Sequence, residues 1–147
     1  MKRIFLDTNV LLDSALARGE NGIAASAILS ACEYEEIEGC LSILSVANMA
    51  YILKKGSTIQ KMKQILEEYT RYLTILPMDS EQLQHAYNVV APDFEDVLQY
   101  ECAKAGGCTT IVTSNTKHYK FCKDIDVVST EQFANQFVEN DDDVENK

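Results

Sequence analysis

Five short apolar runs punctuate this chain, and the stretches between them carry helical periodicity; no other feature narrows the fold as much. The runs are Ile4-Phe5-Leu6, Cys40 to Leu44, Leu73 to Leu76, Thr109 to Val112 and the weaker Asp126-Val127-Val128. Each is short and bounded by polar or turn residues, the pattern of a buried strand. Directly after Asp7, the apolar residues Val10, Leu11 and Leu12 resume at helical spacing, with Thr8 placed as an N-cap. Residues 22–37 gather Ile23, Ala27, Ile28, Ala31 and Cys32 on one helical face, and Gly39 stops them. Ser45 caps a helix through Lys55, which Gly56 ends; residues 58–72 form an amphipathic helix. Asp79 with Gln82 is spaced as a capping box opening a helix to about Val90. Asp93 opens another, stopped at Gly106-Gly107, and Ser129 with Gln132 caps the last.

Strands that alternate with helices from end to end predict an α/β domain with a central, mostly parallel sheet and helices on both faces. The 147 residues suit a single domain with a continuous core. Residues 1–138 are read as that domain. Residues 139–147 hold five acids and one lysine, and are read as an acidic disordered tail.

Charge limits function. The net charge is −10, of which the tail supplies −4, and this argues against a general nucleic-acid-binding surface. Positive charge is uneven, with two lysine groups standing out. Lys54, Lys55, Lys61 and Lys63 form one; Lys117, Lys120 and Lys123, interleaved with His118, Tyr119 and Phe121, form the other. No run approaches the ~20 apolar residues of a membrane span. The N-terminal apolar run breaks at Asp7, far short of a signal peptide, so a cytoplasmic location without membrane contact is expected. Five cysteines without a CxxC pair read as small buried hydrophobes in a reducing compartment.

In open parallel sheets ligands bind beyond the carboxyl ends of the strands, where strand order reverses. Asp7, Thr8 and Asn9 follow the first strand there, Ser45 and Asn48 the second, and Thr113, Ser114 and Asn115 the fourth. Asp93, Glu95 and Asp96 occupy the first turn of the helix before the fourth strand. Capping and turn formation account for most of these residues one at a time. Asp7 is different, because a carboxylate directly after a buried strand needs a partner.

Four segments carry a family resemblance. Ile-Phe-Leu-Asp-Thr-Asn-Val-Leu-Leu-Asp at 4–13 resembles the opening motif of PIN domains, metal-dependent ribonucleases that include the VapC-like toxins of bacterial toxin–antitoxin pairs. Residues 42–53 resemble the second motif, 93–100 the third and 111–119 the fourth, in the family's order and spacing. The resemblance implies a PIN-like three-layer fold around a five-stranded, mostly parallel sheet. It also implies Mg2+ or Mn2+ as cofactor, RNA as substrate, a small antitoxin protein as partner, and a homodimer.

The family pattern draws carboxylates from all four motifs. Here it supplies Asp7 and Asp96, while the other two positions fall on Asn48 and Asn115, and a further acid falls on His118. A charge pair ~4 Å apart is worth ~4 kcal/mol at an effective dielectric of ~20. Two missing carboxylates therefore imply a single, weakly bound ion held by Asp7 and Asp96, with amide help from Asn48 and Asn115. Asp93, on the face of Asp96, is expected to contribute before Glu95. Thr8, Asn9, Ser45, Thr113, Ser114 and Lys117 are the expected substrate contacts, with Tyr119 or Phe121 stacking a base. The implied activity is metal-dependent RNA phosphodiester hydrolysis; the alternative is a catalytically weakened PIN fold kept as an RNA- or protein-binding module. A haloacid-dehalogenase-like site fails because Asn9 stands where Asp-x-Asp requires its second acid. A receiver domain fails because the third strand ends in Leu76-Pro77 with no phosphoacceptor.

Overall fold

A computed structural model of the chain describes the backbone of residues 2–145 and the side chains of residues 2–137. Its elements run β1 (Arg3–Leu6), α1 (Thr8–Ala15), α2 (Gly19–Glu33), β2 (Glu38–Ser42), α3 (Ile43–Lys55), α4 (Ile59–Thr70), β3 (Thr74–Leu76), α5 (Ser80–Ala86), α6 (Phe94–Ala105), β4 (Thr110–Thr113), a 3₁₀ turn at Thr116–Tyr119, β5 (Asp126–Ser129) and α7 (Thr130–Glu145). The strands form one sheet in the order β3-β2-β1-β4-β5, and every neighbouring pair is parallel. The chain steps outward from β1 through β2 to β3, then restarts on the far side of β1 with β4. The switch in strand order therefore lies between β1 and β4.

Strand alternation feeds two cores. Ile4, Leu6, Leu41 and Val112 point to one face, where α1, α2, α3 and α7 cover them through Leu11, Ile28, Met49 and Phe133. Phe5, Cys40 and Ile111 point to the other, against Tyr100 and Ala103 of α6 and Tyr119. Both faces are thus dry, which is why the strands read as continuous apolar runs rather than as alternating ones. The three-layer α/β architecture matches expectation. Cys32, Cys40, Cys102 and Cys108 are buried free thiols, and Cys122 is half-buried. No helix among the described residues is long and apolar enough to cross a membrane.

Several boundaries differ from expectation, each for a local reason. Asp7, not Thr8, is the N-cap of α1, because its carboxylate accepts from the Thr8 backbone N–H. Ser42, not Ser45, caps α3: its Oγ accepts from the Ser45 N–H at 3.0 Å, so Ile43 and Leu44 belong to the helix. α2 ends at Glu33, ahead of Gly39, and the chain turns through Glu35 at φ 60°. Gly39 lies inside β2, where a Cβ would sit 2.6 Å from Cys32 Sγ and 2.7 Å from Leu73 Cδ2. Its role is close packing of strand on helix rather than helix termination. α5 ends at Ala86, four residues before Val90, although Asp79 caps it as expected. The backbone of α7 continues through residues 139–145, expected as the start of the tail; residues 146 and 147 lie outside the described residues.

Candidate functional site

The switch between β1 and β4 opens into a cleft of ≈ 320 Å³ lined by Asp7, Thr8, Asn9, Asn48, Tyr51, Ile52, Asp93, Glu95, Asp96 and His118. Asp7 enters it straight from the sheet, since its N–H still completes the ladder to Val112 O at 3.0 Å. Three donors hold its carboxylate. The Thr8 N–H reaches Oδ1 at 3.0 Å, the Tyr119 hydroxyl reaches Oδ1 at 3.2 Å, and Thr113 Oγ1 donates to Oδ2 at 3.0 Å. Burial raises the Asp7 pKa above the usual carboxylate value, and these hydrogen bonds pull against that rise. The partner that a buried acid requires is therefore a set of hydroxyls and an amide, not a cation.

Asp96 sits across the cleft in the first turn of α6. Its Oδ2 is buried and has no hydrogen-bond partner. His118 Nδ1 lies 3.5 Å away. Burial, then the neighbouring charges of Asp93 and Asp7, pushes the Asp96 pKa up to about 6, with His118 opposing. Asp93 is the N-cap of α6, its Oδ1 accepting from the N–H groups of Glu95 at 2.8 Å and Asp96 at 3.4 Å. Glu95, expected to point away, also lines the cleft, and Asn48 Nδ2 donates to its Oε1 at 2.6 Å.

Beneath the cleft runs a dry polar network that ties both sides together. Thr8 Oγ1 donates to Ser45 Oγ at 2.8 Å, Gln99 Nε2 donates to the same oxygen at 2.9 Å, and Ser42 Oγ donates to Gln99 Oε1 at 2.5 Å. All four residues are buried. Thr8 adjoins Asp7, and Gln99 lies one turn after Asp96, so the network fixes the spacing of the two acids. Ser42 and Gln99 went unnoticed in the sequence, where a lone Ser and a lone Gln carry no pattern.

Other expected contacts are placed differently. Ser45 and Thr113 are fully buried, so they position other groups rather than touch a ligand. Tyr119 is 1% exposed and spends its hydroxyl on Asp7, so its ring belongs to the core and offers no stacking face. Phe121 packs edge-on against Tyr100. Asn115, exposed just before the 3₁₀ turn, and Lys117, exposed within it, lie outside the residues that line the cleft, and Ser114 is half-buried. Tyr51 was overlooked, although its position three residues after Asn48 puts it on the same helical face.

A family model described as PIN domain matches residues 3–117. The chain belongs to the PIN domain family. This PIN domain is 29% identical over 146 residues to Ribonuclease VapC1 of Aquifex aeolicus (strain VF5), covering 92% of this chain and 96% of that protein. Its fold is shared with DNA-bound VapBC from Salmonella typhimurium, with a TM-score of 0.67 at 18% identity over 88% of this chain and 99% of the other. VapBC2 from Rickettsia felis, bound to a promoter DNA fragment, superposes with a TM-score of 0.66 at 15% identity, over 86% and 98%. The matched PIN segment contains every acid of the cleft.

A divalent cation suits this donor set in one respect and strains it in another. Asp96 Oδ2, one of four carboxylates in the cleft, accepts no hydrogen bond and has only His118 Nδ1 at 3.5 Å, so it retains acceptor capacity for a cation. Among the described residues, however, no three His, Cys, Asp or Glu side chains gather as a dedicated metal cage. One Mg2+ or Mn2+ on two carboxylates, with water completing its shell, fits both facts.

Two outcomes follow for stability. Asp96 has a raised folded-state pKa, so the stability tied to its proton is present below pH ~4 and is lost as pH rises through about 6. Without metal, Asp96→Asn should melt with the wild type near pH 4.5 and ~2–4 °C above it at pH 7.5, measured by circular dichroism in EDTA. Ser45→Ala should cost about 1–3 kcal/mol in urea unfolding at any pH, because it strands Thr8 Oγ1 and Gln99 Nε2 without an acceptor.

Proposed function

We propose that this PIN domain is a metal-dependent endoribonuclease, the toxin of a toxin–antitoxin pair, and that the Asp7–Asp96 cleft is its active site. The observation that carries this reading is the pairing of a firmly held Asp7 with a buried Asp96 Oδ2 that accepts no hydrogen bond, at the switch in strand order. The likeness to Ribonuclease VapC1 over nearly the whole chain supports the reaction class.

Asp7 and Asp96 would hold one Mg2+ or Mn2+. When bound, such an ion polarises a phosphoryl oxygen and supplies a water acidic enough to attack. Asp7 is held ready for this by Thr113, Tyr119 and the Thr8 N–H, so its carboxylate need not reorganise. Asn48 steers Glu95 into the cleft, where its carboxylate can take a proton from an attacking water. Asn9 lines the cleft and its side-chain amide suits a phosphate oxygen. Lys117, exposed in the 3₁₀ turn next to His118, would attract the strand from outside the cleft. The antitoxin, by this reading, supplies a cationic side chain to the same acids.

Two observations favour the second reading, a PIN fold kept for binding without catalysis. The described residues assemble no three-ligand cage, and the Asn48 amide is committed to Glu95. A melting titration separates the two. Under the nuclease reading, millimolar Mn2+ raises the melting temperature of the wild type and does not raise that of Asp7→Asn; no shift in either protein favours the binding module. Cleavage of a mixed RNA pool in Mn2+ tests the reaction itself. Asp7→Asn should lose at least ~100-fold in rate, and equal rates in the two proteins would falsify the assignment of the site.

A further inference from the structure

The cleft is acidic and the whole chain carries −10, so phosphate attraction alone is a poor source of affinity for RNA. A charge-independent contact is needed inside the cleft. The two rings in the basic sequence group, Tyr119 and Phe121, are committed to the core. A second exposed pair, Tyr87 and Phe94, is self-covered, its rings stacked at 5.7 Å and 12°. Tyr51 remains. It lines the cleft beside Asn48 and Asp96 and is 66% exposed. Lys55 Nζ, one turn on, lies 4.3 Å from the ring centroid and is the ring's one aromatic or cationic partner among the described residues.

We infer that Tyr51 is the stacking platform for an unpaired base flanking the scissile phosphate, with Lys55 steadying the ring on one face and meeting the backbone beyond it. This rests on the nuclease reading for what the bound strand undergoes, but not for the binding itself. A large aromatic ring left two-thirds in water beside an acidic site gains by covering, and a nucleobase covers it at no electrostatic cost. The contact requires a base free of its complement, so the substrate class is single-stranded or looped RNA. Because stacking does not displace counterions, the contribution of Tyr51 is independent of salt, whereas that of Lys55 is not.

The test uses the full chain carrying Asp7→Asn, to suppress cleavage, and fluorescence anisotropy with a labelled single-stranded RNA oligonucleotide and its abasic ribose-phosphate counterpart. Adding Tyr51→Ala should weaken binding of the base-bearing strand by about 10- to 100-fold, leave the abasic strand within about twofold, and displace the salt plot without changing its slope. Tyr51→Phe should bind like its parent, and the exposed position should leave the melting temperature of both variants unchanged. Equal losses on the two oligonucleotides would overturn the proposal, as would unchanged RNA affinity. Unchanged affinity accompanied by lost self-association in sedimentation would reassign Tyr51 to a protein contact. If Tyr51-dependent binding is found while the wild type cleaves nothing, stacking stands and the nuclease reading falls.

Discussion

The buried hydrogen bonds among Thr8, Ser45, Ser42 and Gln99 are the constraint on which the rest of the site depends. Two elements far apart in sequence, the turn from β1 into α1 and the first half of α6, must meet at fixed distance for Asp7 and Asp96 to share a cleft. Apolar packing alone would bring them together without fixing register, since Leu, Val and Ile surfaces slide at modest cost. Four polar side chains in a dry layer cannot slide, because each donor moved off its acceptor costs a full desolvation penalty. Specificity of position comes here from polar groups directly beneath the cleft.

Above that layer the electrostatics run the other way. Asp7 is balanced by hydroxyls and an amide, Asp93 by the backbone of α6 and Glu95 by Asn48, whereas Asp96 Oδ2 accepts no hydrogen bond and has only His118 Nδ1 at 3.5 Å. An arrangement that costs stability in the isolated protein and is relieved by a cation is the expected signature of a binding site rather than of a structural feature. The same crowding that raises the proton affinity of Asp96 defines where positive charge is wanted.

The architecture was readable from the sequence because both faces of every strand are covered, so each strand shows up as an apolar run and each helix as a periodic one. Asp7 was readable for a related reason: an acid after three apolar residues has few structural excuses. Boundaries were less legible, because caps depend on which of two nearby serines reaches the free N–H groups, and Ser42 reaches where Ser45 does not. The network under the cleft was illegible, since Gln99 acquires its role only when α6 crosses β2 and α3. Tyr119 shows the converse. Its lysine-rich neighbourhood suggested a surface ring, yet side chains of a 3₁₀ turn step about 120° around its axis, and this one faces in. Tyr51, just ahead of the other lysine group and on the exposed face of α3, took the surface place instead.

Helix ends add one more consequence. Asp7 caps α1 and Asp93 caps α6, so the amino ends of two helices converge on a single opening. Each such end carries roughly half a positive elementary charge. The cleft therefore presents carboxylate oxygens in front and amide dipoles behind them, a layered field that suits a cation and a phosphate held together better than either held alone.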